Sequence, residues 1–203
     1  MKSYYEYIKW LLSESEIIPP EIPNTMNFWH GGNLDEYNET ISHKKGRFEY
    51  GAGLYITTHY ETASKYSKGS RKLYLITVEK GNDLNDSFID FDNLKSFISD
   101  YIIKTKQKEV LNRLIKYVND QNKVKGYLIQ NIILNEDAIK PTNTIYLRQF
   151  FIDNGIDYQL VPNAFGWGET MMVLYNMKKI VKITRINPKD KITVFDLPTE
   201  FTK

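Results

Sequence analysis

Two kinds of hydrophobic pattern divide this chain, and their order constrains the fold more than any other feature. Short runs typical of strands lie towards both ends, whereas apolar residues at helical spacing occupy the middle, roughly residues 92–140. The predicted strands are Met26–His30, Leu54–Thr57, Leu73–Val78, Ile156–Val161, Thr170–Tyr175, Ile180–Ile186 and Lys191–Phe195. Strands at both ends with helices between them indicate an α+β domain.

The boundaries of four helices are predicted from local signals. An N-terminal amphipathic helix over residues 4–16 stops at the proline cluster of residues 19–23, because proline cannot continue a helix. The run Thr58-His59-Tyr60-Glu61 has the spacing of a capping box, so a helix is expected to open there and to close at Gly69. Asp92 is expected to cap the first helix of the middle section, and a helix over residues 142–154 ends at Gly155.

The composition is that of an ordinary globular protein, and 203 residues fit a single domain over residues 1–203. Residues 1–23 would form the N-terminal helix and a connector, and residues 92–140 a helical insertion. A net charge of +2 is too small to indicate nucleic-acid binding. The lack of cysteine excludes a disulfide framework, a thiolate metal site and a cysteine nucleophile. No apolar run is long enough for a membrane span and the start lacks a signal-peptide core, so we expect a cytoplasmic protein.

The most informative residues lie in the first third of the chain and near its end. Phe28-Trp29-His30-Gly31-Gly32 closes one predicted strand. Gly51-Ala52-Gly53 leads into the next, Leu54-Tyr55-Ile56-Thr57, and Tyr66 follows on the helix, eleven positions after Tyr55. Near the C-terminus, Glu169 opens the strand Thr170-Met171-Met172-Val173-Leu174. A His-Gly pair or a Gly-x-Gly alone is usually structural. The prediction therefore depends on the joint occurrence and order of these elements.

This combination resembles the ADP-ribosyltransferase superfamily, in the branch with a His-Tyr-Glu triad that includes diphtheria toxin and the poly(ADP-ribose) polymerases. The resemblance implies a split antiparallel β-sheet core with flanking helices, NAD as the substrate and no metal. It implies that His30, Tyr55 and Glu169 are catalytic and that His30, Gly31, Tyr55 and Tyr66 bind NAD. Residues 92–140 match nothing in that family that we can assign.

Physical chemistry makes these residue types sensible. The nicotinamide of NAD is a flat cation that Tyr55 and Tyr66 would sandwich, and its carboxamide needs a donor and an acceptor, which the main chain of Gly31 supplies. A ring nitrogen of His30 would hold a ribose hydroxyl. Glycosidic cleavage develops positive charge on the ribose, which a fixed carboxylate such as Glu169 stabilises.

Two departures from the family bear on the substrate. Relatives commonly hold the carboxamide with a serine where this chain has Ala63, followed by Ser64. The arginine-modifying branch has Glu or Gln where this chain has Trp167, so arginine is a disfavoured acceptor. The segment of residues 161–168 is the expected target-facing loop, in which Phe165 or Trp167 would stack on an aromatic side chain or a nucleobase.

The leading hypothesis is a mono-ADP-ribosyltransferase acting on a protein or nucleic acid, and by resemblance a bacterial or phage toxin with a neutralising protein partner. An NAD glycohydrolase and a catalytically inactive binding module are the alternatives. An RNA 2′-phosphotransferase would need a basic site that the sequence lacks. Several basic residues would either meet the NAD diphosphate or form a solvated rim: Lys44, Lys45, Arg47, Arg71 and Lys72. His43 and His59 are predicted to be surface residues.

Overall fold

The computed structural model describes residues 15–34, 50–69, 72–166, 168–187 and 189–203. Its strands are β1 (Glu16–Ile17), β2 (Thr25–Gly31), β3 (Leu54–Thr57), β4 (Leu73–Glu79), β5 (Phe88–Asp90), β6 (Lys123–Lys125), β7 (Tyr158–Pro162), β8 (Thr170–Leu174), β9 (Ile180–Arg185) and β10 (Lys191–Ile192). Its α-helices are α1 (Tyr60–Ser67), α2 (Phe91–Tyr101), α3 (Lys104–Leu114), α4 (Gly126–Asn135) and α5 (Thr144–Asp153). The described residues thus form a mixed α+β structure, as the sequence predicts.

A six-stranded sheet in the order β7-β8-β3-β2-β4-β9 forms the centre of the molecule. All of its ladders are antiparallel. Alternation along β2 buries Met26 and Phe28 on one face, whereas Trp29 packs on the other face against Ala63 of α1. Both faces of β2 are therefore covered, which explains its nearly continuous burial.

The helical middle section shares its hydrophobic core with one side of the sheet. Met171, Val173 and Tyr175 belong to the same buried cluster as residues of α2 to α5. The helical character predicted for this section from its apolar spacing is confirmed in α2 and α3, where the apolar residues Leu94 and Val110 are completely buried. The section is not wholly helical, because β6 lies within it and pairs with β5, directly before it. Each of these strands has three residues with one buried position, which is too short to show a period in the sequence.

Two predicted helix caps are wrong. The α2 cap is Asp90, whose carboxylate accepts hydrogen bonds from the backbone N–H groups of Asp92 (2.8 Å) and Asn93 (3.1 Å). The predicted capping box at α1 does not form, because the Thr58 hydroxyl instead accepts the N–H of Thr170 from β8 (3.0 Å). His59 occupies the N-cap position of α1, and its side chain makes no capping hydrogen bond.

The predicted N-terminal helix lies almost entirely outside the described residues. At its expected end, Glu16 and Ile17 form a short strand that pairs in parallel with β10. The strand predicted over Lys191–Phe195 is shorter in the structure, where only the first two of these residues form a strand. Within the described ranges, no helix has the length and apolar character needed to cross a membrane.

Candidate functional site

His30 lies at the C-terminal end of β2, where its ring reaches the neighbouring strand. Its Nδ1 is 2.9 Å from the carbonyl oxygen of Tyr55. A carbonyl oxygen only accepts, so Nδ1 carries the proton and Nε2 of the neutral ring is an acceptor. Burial lowers the pKa of His30, an effect that the hydrogen bond to the Tyr55 carbonyl partly offsets. The ring is therefore neutral near pH 7, with Nε2 able to accept from a hydroxyl.

The sheet opens between β2 and β3 next to His30. In the described part of the chain these two strands pair only at Trp29 and Thr57. On the other side of β2, hydrogen bonds to β4 involve even-numbered positions, including Gly32 N–H to the Lys72 carbonyl (3.0 Å). Successive residues of a strand direct their main-chain groups to opposite sides. The N–H and C=O of Gly31 consequently face the opening towards β3, on the side of Tyr55.

Helix α1 packs directly on Gly31. A Cβ at this position would lie 1.7 Å from the carbonyl oxygen of Ala63 and 2.8 Å from the backbone nitrogen of Ser67. Only glycine allows this approach, a constraint on Gly31 in addition to the predicted contact with NAD. Ser67 directly follows Tyr66, so the contact fixes the turn of α1 that carries this tyrosine. The Tyr66 side chain is 67% exposed and lies one helical turn after Thr62 on the same face.

The hydroxyl and the ring of Tyr55 are both held by neighbouring groups. Its hydroxyl donates to the carbonyl oxygen of Gly51 (2.7 Å) and accepts the backbone N–H of Tyr50 (3.3 Å). Its ring packs partly buried against the core of the helical section. Thr57 lies two residues further along β3 and therefore on the same face of the sheet as Tyr55.

Glu169 sits directly before β8, and its side chain is almost fully buried beside Thr57. The Thr57 hydroxyl donates to Oε1, and the Thr62 hydroxyl of α1 donates to Oε2 at 3.1 Å. β8 pairs with β3, which places the end of β3 next to the start of β8. The structure thus brings Glu169 to the same face as Tyr55 and to the helix that carries Tyr66. His30, Tyr55 and Glu169 belong to three adjacent strands or strand ends.

His59 is a residue that the sequence analysis left on the surface. Its side chain is only 21% exposed, with Nδ1 3.9 Å from Glu169 Oε2 and Nε2 3.7 Å from Asp196 Oδ1. The segment with Asp196 is fixed because Phe195 and Leu197 hydrogen-bond to the start of α1 and the end of β3. The pairing of β3 with β8 sets His59 beside Glu169. The two residues are 110 positions apart, and without knowledge of this pairing the sequence does not relate them.

The loop before Glu169 turns sharply and exposes an aromatic ring. Gly166 and Gly168 have φ values of +85° and +75°, which favour glycine, and Glu169 N–H bonds to the Gly166 carbonyl at 3.2 Å. Phe165 is 53% exposed, and its predicted contact with a target stays a prediction. Trp167 lies outside the described residues.

The remaining predicted residues contribute less to the site. Lys72 Nζ donates to Asn33 Oδ1 at 2.7 Å, near the end of β2. Ala63 is buried, and the Ser64 hydroxyl donates to the Glu61 carbonyl (3.1 Å) on the exposed side of α1. Several predicted residues lie outside the described part of the chain: Lys44, Lys45, Arg47, Arg71 and His43. Within that part, no group of three or more His, Asp or Glu side chains is arranged to hold a metal ion.

Comparison with known proteins yields no relative. No protein family matches the chain, and searches of the curated proteins and of the solved structures found no match.

Proposed function

We propose that this protein is an ADP-ribosyltransferase-fold enzyme that cleaves the nicotinamide bond of NAD and transfers ADP-ribose to a macromolecule. The observation that carries the proposal is the placement of His30, Tyr55 and Glu169 on three adjacent strands or strand ends. His30 and Tyr55 lie on the two strands that border the opening, and the ring of His30 bonds to the main chain of Tyr55. Glu169 lies at the start of the next strand, on the same face as Tyr55, and accepts a hydrogen bond from the helix that carries Tyr66.

Nicotinamide would bind in the opening between β2 and β3. The main-chain N–H and C=O of Gly31 face this opening and match the acceptor and donor of a carboxamide. Tyr55 has a fixed ring on one side, and Tyr66 has a largely exposed ring on the helix that packs over Gly31. Stacking and cation–π attraction to the pyridinium would contribute about 0.5–2 kcal/mol. The NAD ribose would donate a hydroxyl to Nε2 of His30, which the bond to Tyr55 keeps unprotonated.

Glu169 would stabilise the ribose cation. The carboxylate accepts one hydroxyl on each oxygen, from Thr57 and Thr62, and each oxygen retains a further lone pair. When the glycosidic bond breaks, its electron pair leaves with neutral nicotinamide and positive charge develops on the ribose. A preorganised carboxylate in a water-poor setting stabilises this charge without moving. The same group polarises the acceptor X–H, whose X atom forms the new bond to ribose.

The acceptor is a protein side chain or a nucleic acid, and the exposed Phe165 in the loop that precedes Glu169 favours a flat aromatic or nucleobase partner. Transfer is tested by incubating the protein with labelled NAD and cell extract, then separating protein, DNA and RNA before mass spectrometry. The matched variants are Glu169→Gln in the site and Glu200→Gln, which removes a charge from an exposed position of the C-terminal segment.

The proposal predicts label on one macromolecular class with the parent and Glu200→Gln, and none with Glu169→Gln. Free ADP-ribose without labelled acceptor would assign the protein as an NAD glycohydrolase. NAD binding without turnover would assign a binding module, and either result would contradict transfer.

A further inference from the structure

His59 connects the buried Glu169 to solvent. The exposed fraction of the side chain rises from 3% at Glu169 to 21% at His59 and 75% at Asp196. The His59 ring lies between the two carboxylates, with Nδ1 directed at Glu169 and Nε2 at Asp196. The His59 backbone is also fixed, because its N–H donates to the same Thr57 hydroxyl that bonds Glu169 (3.1 Å). Three consecutive groups therefore lead from the interior to the surface.

Transfer of ADP-ribose to an acceptor X–H releases one proton. The bond between ribose and nicotinamide breaks, a bond between ribose and X forms, and the proton of X–H must leave. Glu169 has little contact with water in the described structure, so a proton that it accepts needs an exit. We propose that His59, oriented by Asp196, is the proton outlet of Glu169, an inference that rests on the proposed function.

The orientation of the ring suits this role. In the neutral form that carries its proton on Nε2, this proton faces Asp196 and the Nδ1 lone pair faces Glu169, so Nδ1 can take the proton once Glu169 is protonated. The proton passes from Glu169 Oε2 to Nδ1, and the resulting imidazolium lies between two carboxylates that stabilise it until it releases a proton to solvent. The two distances, 3.9 and 3.7 Å, exceed hydrogen-bond length. Catalytic hydrogen bonds are often long without substrate and shorten in the reacting complex.

Two carboxylates lie near the His59 ring within the described residues: Glu169, from the start of β8, and Asp196, from the C-terminal segment. Glu61 in the first turn of α1 is the next nearest acid in sequence and is exposed. The relay needs a ring nitrogen that can take up and release a proton, which a glutamine side chain in its place cannot do. Asp196→Asn removes the carboxylate that orients the ring but leaves both ring nitrogens of His59 in place.

The test measures kcat and KM for NAD in the parent, His59→Gln, Asp196→Asn and the control Glu200→Gln. For His59→Gln we expect kcat to drop about tenfold or more and KM for NAD to change less than about twofold. For Asp196→Asn we expect a smaller drop in kcat, again with KM for NAD changed less than about twofold. Glu200→Gln should match the parent.

Each contrary outcome has a separate meaning. If the parent turns over NAD and His59→Gln keeps its kcat, the outlet is wrong and the proposed function stands. A rise in KM at unchanged kcat would also contradict it, since His59 would then contribute to binding. If His59→Gln does not fold, Asp196→Asn decides, because its exposed side chain can change without disturbing the core. No turnover in the parent would contradict both proposals.

Discussion

Substitution of Gly31 by alanine tests the contact between α1 and β2 that positions Tyr66 and Thr62. The new Cβ would lie 1.7 Å from the Ala63 carbonyl oxygen, whereas ordinary contacts begin at 3.4 Å, so the helix must move by about 1.7 Å. Overpacking of this kind costs about 1–3 kcal/mol. In a domain of about 200 residues, each kcal/mol lowers Tm by about 2–4 °C, which predicts a drop of about 2–12 °C.

The matched control is Gly69→Ala, just beyond the same helix, where a Cβ would meet no atom within 4 Å. Its backbone does not require glycine, so we expect its Tm to equal the parent value or to rise slightly. Thermal unfolding of both variants gives Tm, and titration calorimetry of NAD gives the effect on binding. A Gly31→Ala protein as stable as the parent would show that α1 does not rest on Gly31, and the arrangement of the site would have to be revised.

Three further predictions concern caps, buried polar groups and pH. Asp90→Ala should lower the free energy of unfolding, measured in urea, by about 1 kcal/mol through loss of the α2 cap, and Asp92→Ala should lower it less. A larger loss for Asp92→Ala would show that Asp92 is the cap, as the sequence predicted. The Tyr74 hydroxyl is buried without a hydrogen-bond partner among the described residues, so Tyr74→Phe should unfold no more easily than the parent, and a loss above about 1 kcal/mol would reveal a bond. Because burial lowers the pKa of His30, the unfolded chain takes up its proton first as the pH falls, so stability is lost from the usual histidine range downward. Urea midpoints at pH 7.5 and 5.5 should therefore differ less in His30→Gln than in the parent.

Several strands were predictable because glycine lies close to one end of each and because β2, β3, β4 and β8 are buried along nearly their whole length. Leu54–Thr57 was predicted with its observed bounds, and β2 and β4 within one residue. Local sequence signals are therefore sufficient to define the ends of these three strands. The strand β10 was overestimated because its alternating sequence continues to Phe195, while its pairing partner β1 has only two residues.

The failures share one physical cause, which is competition from residues distant in sequence. The Thr58 hydroxyl would suit a cap, but the N–H of Thr170 uses it. Asp90 and Asp92 are equally good caps by type, and the path of the chain from β5 decides between them. The sequence singled out His30, Gly31, Tyr55, Tyr66 and Glu169. It missed His59, because its contact with Glu169 depends on the pairing of β3 with β8.

The most direct test of the account is the release of nicotinamide from NAD by the purified protein, since transfer and hydrolysis both require it. Chromatography of the reaction gives the rate for the parent, Glu169→Gln and Glu200→Gln, with and without cell extract as a source of acceptor. We predict release by the parent and by Glu200→Gln, with a loss of about 100-fold or more in Glu169→Gln. No release by the parent in either condition, or equal release by Glu169→Gln, would contradict the assignment of Glu169 as the residue that stabilises the ribose cation.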